Sequence, residues 1–170
     1  FYDTLPGKNT RANPSHVDKM TLNAIYSLIL RLPMGTVPDD FEGAFFNKSD
    51  IISWIGCNSR KYGKNNGSEE IWTVLSTPKF GKLHKVPQES LTGSDMEGKV
   101  VRKMLADFKK YVLPDKSSQW ADELPLTSAK LQLWGAGVPL NVYRCDHSCV
   151  WDAGHNIGIV GDWLCSPSIE

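Results

Sequence analysis

An excess of either charge is missing from this sequence. Its 170 residues carry 19 lysines and arginines against 19 aspartates and glutamates, for a formal net charge of zero with histidine neutral. No basic excess argues for a nucleic-acid surface, and no acidic tail argues for a solvating role. Cysteine is scarce. Cys57, Cys145, Cys149 and Cys165 are too few and too scattered to staple a disulfide scaffold. Reduced thiols in an intracellular compartment are the expectation. Long apolar runs are absent as well. The longest stretch, Ala24 to Leu32, is interrupted by Ser27 and Arg31, whereas a spanning helix needs about 18 apolar residues or more. The opening Phe-Tyr-Asp-Thr-Leu-Pro-Gly has no initiator methionine and is not a signal peptide. It leads us to expect a chain that begins inside a longer polypeptide. Internal repeats and low-complexity segments are lacking too.

What is present suits one globular domain with a usable core: 41% apolar residues and six tryptophans. Residues 1–19 are polar, carry Pro6, Gly7, Asn9, Asn13 and Pro14, and read as irregular. Met20 to Leu32 fits a strand or a helix by pattern, and closure by Pro33 and Gly35 favours the strand. Phe41 to Phe46 is a short aromatic segment. Asp50 to Cys57 reads as a strand, and Glu70 to Ser76 as its antiparallel partner. Asn58 to Ser68, a mixture of basic residues, glycines and asparagines, should be an outward-projecting loop between them.

The clearest helix covers about residues 95–113. Ser94 and Glu97 form a capping-box pattern at its start, and Pro114 stops it. Val100, Val101, Met104, Leu105, Phe108 and Val112 share a face, and Val101, Met104, Leu105 and Phe108 should be buried. Lys99, Arg102, Lys103, Lys109 and Lys110 fit a solvated face better than a basic patch. Ser128 to Trp134 is a further strand. Asn156 to Val160 is another, ended by Gly161-Asp162, and Ile157 to Val160 should be buried. Strands, one long helix, then strands point to an α+β domain with a mixed or antiparallel sheet.

The segment Gly158-Ile-Val-Gly-Asp-Trp-Leu-Cys-Ser-Pro-Ser-Ile-Glu170 resembles the last flavin-binding motif of the amine oxidase superfamily, where a strand ends in Gly-Asp and a helix follows. Ile51-Ile-Ser-Trp-Ile-Gly-Cys-Asn-Ser-Arg-Lys61 with Ile71-Trp-Thr-Val-Leu-Ser-Thr77 is similar to a paired-strand segment of the renalase-like branch. Lys130-Leu-Gln-Leu-Trp134 through Pro139 resembles the strand that leads back to the flavin. The resemblance, to renalase-like FAD-dependent amine oxidases (flavin amine oxidoreductases), covers roughly residues 20–170. It implies a substrate-domain-like region over residues 20–150. Residues 151–170 would supply the last strand of a split FAD-binding domain and the start of its helix.

By the same resemblance, Asp162 faces the ribityl chain or phosphates of FAD, and Gly161, Trp163, Ser166, Pro167 and Ser168 lie near the flavin. A Ser166 cap with Pro167 at the first helical position fits that helix entry. Trp54 and Trp72 are the candidates for walling a substrate cavity, with packing in the core as the plainer reading of each. Successive strand residues alternate faces, so only one face can see the flavin. The family's Gly-x-Gly-x-x-Gly fingerprint is absent, since Gly135-Ala-Gly137 is not followed by the third glycine. FAD is therefore expected only with a missing amino-terminal FAD-binding region or a partner chain, and this chain alone should be inactive. The alternative is a non-catalytic binding or scaffold subunit of a larger assembly. By resemblance alone a plastid location is implied, since plant and algal relatives of this type are often plastid proteins.

Other constellations carry less. Cys145-Asp-His-Ser-Cys149 with His155 has spacing seen in zinc sites, but an irregular loop with reduced thiols fits better, and no metal is expected. Ser166 and Ser168 have no paired base nearby in the sequence. His16, His84 and His147 are isolated and read as surface residues.

Overall fold

A computed structural model describes residues 21–37, 41–63, 67–113, 124–140, 149–161 and 164. The expected irregular segment 1–19 lies outside them. The chain divides into two compact units, Ala24–Gly135 and Phe1–Asn23 with Ala136–Glu170.

The larger unit is built on a sheet. In chain order its elements are β1 (Leu22–Pro33), β2 (Gly43–Phe45), β3 (Ile52–Cys57), α1 (Asn58–Lys61), β4 (Glu69–Ser76), α2 (Pro78–Leu83), a 3₁₀ turn (Gln88–Ser90), α3 (Asp95–Val112) and β5 (Ser128–Pro139). Among the described residues the strands are ordered β2-β3-β4-β1-β5. The β2–β3, β3–β4 and β4–β1 ladders are antiparallel, so the domain is α+β with a mostly antiparallel sheet. The strands β3 and β4 are antiparallel neighbours, as expected.

Register assigns the two faces of the sheet. On the inner face, Leu28 pairs with Val74, Leu30 with Trp72 and Leu32 with Glu70, while Ile55 and Cys57 stand opposite Val74 and Trp72. All of these are buried. The helix α3 closes this face with Val100, Met104, Phe108 and Val112, a stripe at every fourth residue. Val101 and Leu105, expected to be buried, pack half-buried at its margin. Burying one such large side chain contributes about 1.5–3 kcal/mol. The start of α3 follows the sequence: Ser94 Oγ accepts from Glu97 N at 3.2 Å, and Glu97 Oε2 accepts from Gly93 N at 2.6 Å.

Three expectations change. The segment after Cys57 does not simply project. Its first residues form α1, Ser59 is buried and accepts from Ile71 N at 2.9 Å, and the Arg60 side chain turns inward. His84 is buried rather than superficial. It ends α2, stacks on Phe80 at 4.3 Å, and accepts at Nε2 from Lys103 Nζ at 3.3 Å. That assigns the proton to Nδ1, which donates to Phe80 O at 3.0 Å. The helix α2 itself was not expected, although Thr77 as cap and Pro78 at the first helical position announce it.

In the smaller unit, Leu140 N–H donates to Thr21 O at 2.7 Å. A hairpin pairs β6 (Val150–Asp152) with β7 (Ile157–Ile159). The expected buried strand is therefore an exposed one: Ile157 is 41% and Val160 73% accessible. Among the described residues it pairs with β6 alone, and a three-residue strand in a two-stranded ribbon buries little apolar surface by itself. No described helix is long and apolar enough to cross a membrane.

Candidate functional site

The two tryptophans singled out from the sequence stand on opposite faces of the sheet. Trp72 lies on the inner face, fully buried between Phe41 at 5.4 Å and Phe108 at 6.2 Å, with the Arg60 guanidinium 5.5 Å from its ring. It is a core residue and shares no surface with Trp54. Its indole Nε1 is buried without a hydrogen-bond partner.

Trp54 reaches the outer face because of an irregularity in β3. Ile52 pairs with Ser76, but Trp54 pairs with Leu75, so β3 gains one residue on β4 between them. Strict alternation from buried Ile52 would send Trp54 inward. The bulge at Ser53 inverts the order, directing Ile55 and Cys57 inward and Trp54 and Gly56 outward. The Ser53 hydroxyl holds the distortion by donating to Ser76 O at 3.0 Å.

Two rows of side chains cross this outer face. One runs Phe45, Trp54, Leu75, Ser27; the next runs Gly43, Gly56, Thr73, Ile29. Phe45 is 80% exposed, and Trp54, Leu75 and Thr73 are half-buried. The indole of Trp54 leans over Gly56. A Cβ at Gly56 would stand 2.4 Å from its Cη2 and 2.6 Å from its Cζ2. Thr73 Oγ1 accepts from Asn58 Nδ2 at 2.9 Å. At the far margin Arg31 pairs with Glu69. The sequence held the signal for Gly56, a glycine two residues after a strand tryptophan, but the bulge that selects their face was not legible.

Of the residues expected to meet a cofactor, Gly161 is exposed, and its carbonyl accepts from Leu164 N at 3.1 Å. Asp162, Trp163, Ser166, Pro167 and Ser168 lie outside the described residues, as do Cys145, Asp146 and His147. Cys149 is an exposed free thiol, and the described residues contain no group of three or more metal-ligating side chains. His155 Nδ1 instead meets Asp152 Oδ2 at 2.6 Å, while Asp152 Oδ1 accepts from Gly154 N at 3.0 Å. The bond from His155 is the main reason the Asp152 carboxyl lies below the usual carboxylate range. Burial pushes the Cys57 thiol up, which leaves it a packing residue rather than a nucleophile.

No family model matches the chain, and no curated protein matches it. Among solved structures, the fold is similar to that of a protein from Exiguobacterium sp. 255-15 described as "Putative protoporphyrinogen oxidase". The TM-score is 0.51 at 11% identity, over 74% of this chain. The match spans 26% of that longer protein. The likeness is one of fold alone: this α+β arrangement is shared with part of an oxidase-type protein.

Proposed function

We propose that this chain is the substrate-side part of a FAD-dependent oxidoreductase of the amine oxidase type. In this reading it supplies the substrate domain and, through residues 161–168, the final flavin contacts. The observation that carries the reading is the two-sided sheet. One face is sealed by α3, and the other presents Trp54, directed there by a bulge, in an uncharged apolar row. Bulges that re-aim one side chain are common beside active sites. The likeness in fold to part of a protein described as an oxidase supports the same reading.

The described residues do not make a dinucleotide site. Gly161, exposed and without a side chain, leaves room for close approach at a cofactor's edge, but nothing here would hold an adenosine diphosphate. Oxidation in such enzymes is chemistry of the flavin. The task left to this chain is to orient the substrate and keep water from it. A dinucleotide-binding region, on the same polypeptide or on a partner chain, completes the proposal.

Asp162→Ala tests it in the flavin-loaded protein. Loss of a charged acceptor for a ribityl hydroxyl should cost about 1.5–3 kcal/mol of flavin binding, read as flavin lost on extensive dialysis. Unchanged occupancy would count against the assignment. A second reading, a non-catalytic binding or scaffold subunit, draws on the match to only 26% of the Exiguobacterium protein. It predicts a protein that carries no flavin in its native assembly.

A further inference from the structure

We infer, independently of the substrate-side reading, that Lys85 and Gln132 close the outer edge of β5, and that the strand they exclude is β5 of a second copy of this chain. Among the described residues β5 has β1 as its one neighbour. The bonds from Thr127 N to Arg31 O and from Leu140 N to Thr21 O run the two strands antiparallel. Alternate residues of a strand bond to opposite sides. In β1, Met34 N bonds to Ser68 O on the β4 side, in phase with Leu28, Leu30 and Leu32, whereas Arg31 and Thr21 bond to the β5 side. Leu131 and Leu133 are buried in the same core as Leu28 and Leu30, so they stand opposite residues of β1 that bond to β4. In an antiparallel pair such positions turn their N–H and C=O groups away from the neighbour. Ala129, Leu131, Leu133 and Gly135 therefore present their backbone at the outer edge.

Two neighbouring carbonyls on that edge are taken by side chains rather than by a strand: Gln132 Nε2 donates to Leu133 O at 3.0 Å, and Lys85 Nζ donates to Gly135 O at 2.9 Å. Lys85 comes from the chain just after α2 and lies close over Gly135, where a Cβ would stand 3.6 Å from Lys85 Cε and 3.8 Å from Nζ. The excluded strand follows from the sequence of the edge. Ala129-Lys-Leu-Gln-Leu-Trp-Gly135 holds a single charge and no proline, and a bare edge of that kind pairs readily with another strand. Two copies related by a two-fold axis and paired antiparallel about Gln132 would set Ala129 N–H of each against Gly135 O of the other, and Leu131 N–H against Leu133 O. Those are the two carbonyls that Lys85 and Gln132 hold. To admit the copy, Lys85 would have to give up a charge-assisted bond and leave the edge.

The test compares the full chain with its Lys85→Ala/Gln132→Ala variant, by light scattering for mass and by amide hydrogen exchange for location. The wild type should keep the mass of one chain, with the Ala129, Leu131 and Gly135 amides exchanging at rates independent of concentration. In the variant the mass should double as concentration rises, and the same amides should slow in step. Adding Ala129→Pro removes an outward N–H at an edge position, where proline is tolerated, and should return the variant to one chain. A variant that stays a single chain overturns the inference. So does association that leaves those amides unprotected or survives Ala129→Pro, because the contact then lies elsewhere. A wild type that already pairs through these amides also overturns it. Should the alanine pair unfold, Lys85→Met/Gln132→Met keeps both stems, removes both donors and is read in the same way. A methionine pair that unfolds too gives the two side chains a purely structural role and overturns the inference.

Discussion

Arg60 and Glu70 meet inside the protein, Nη2 to Oε2 at 3.1 Å, with side chains only 7% and 0% exposed. The pair is fully engaged. Glu70 Oε1 accepts from Val37 N at 2.9 Å, and Arg60 donates to Phe41 O at 2.6 Å and Val37 O at 3.0 Å. It ties the start of β4 to the chain leaving β1 and supports Trp72 from one side. Removing one partner strands a buried charge, so Glu70→Ala should destabilise by about 3–5 kcal/mol. Replacing both residues with apolar ones of similar volume should cost much less. Urea unfolding measures both. A Glu70→Ala variant within about 1 kcal/mol of wild type, the worth of a surface pair, would contradict the burial.

Gly81 tests the seating of α2 against β1. A Cβ there would lie 2.1 Å from the Ala24 carbonyl oxygen, a backbone atom that cannot swing aside. Alanine gains about 1 kcal/mol of helix propensity over glycine, but overpacking against backbone costs about 1–3 kcal/mol or more. Gly81→Ala should therefore be net destabilising in urea, whereas Gly63→Asn, at a positive φ of 64° in open space, should be close to neutral. A stabilised Gly81→Ala would show that α2 stands off the sheet.

Much of this frame was legible in the sequence, for identifiable reasons. The helix α3 carries its own cap, its four-residue stripe and its stop. The strands β3 and β4 carry apolar runs with turn residues between them. Less legible were features that depend on a partner distant in sequence. Arg60 looked like one more loop cation because its acceptor, Glu70, lies across a hairpin. His84 looked superficial because Phe80 and Lys103 bury it from two different helices. Trp54 and Trp72 looked like a pair because no pattern announces a one-residue bulge. Where the sequence suggests a buried strand at Ile157 to Val160, an exposed β6–β7 hairpin stands, and Asn156, at φ 54°, marks its turn.

That hairpin has a pH dependence of definite sign. The bond from His155 and the backbone N–H groups of His155 and Gly154 hold the Asp152 carboxyl below its ordinary range. A depressed folded value means that the interaction is fully present above the unfolded carboxylate value. It is lost as pH falls through the lower, folded one. Following the Asp152 carboxyl carbon by NMR should give an acid-shifted midpoint, moved back toward the ordinary value in His155→Ala. An ordinary midpoint in the wild type would show that the hydrogen-bonded turn does not persist in solution.

The most direct test of the substrate-side reading is the flavin content of the protein isolated from its native source with whatever chain accompanies it. The preparation is denatured, and the released cofactor is identified by its visible absorbance. The reading predicts FAD, in an amount approaching one per copy of this chain. A colourless preparation that releases no flavin would contradict it and favour the scaffold subunit.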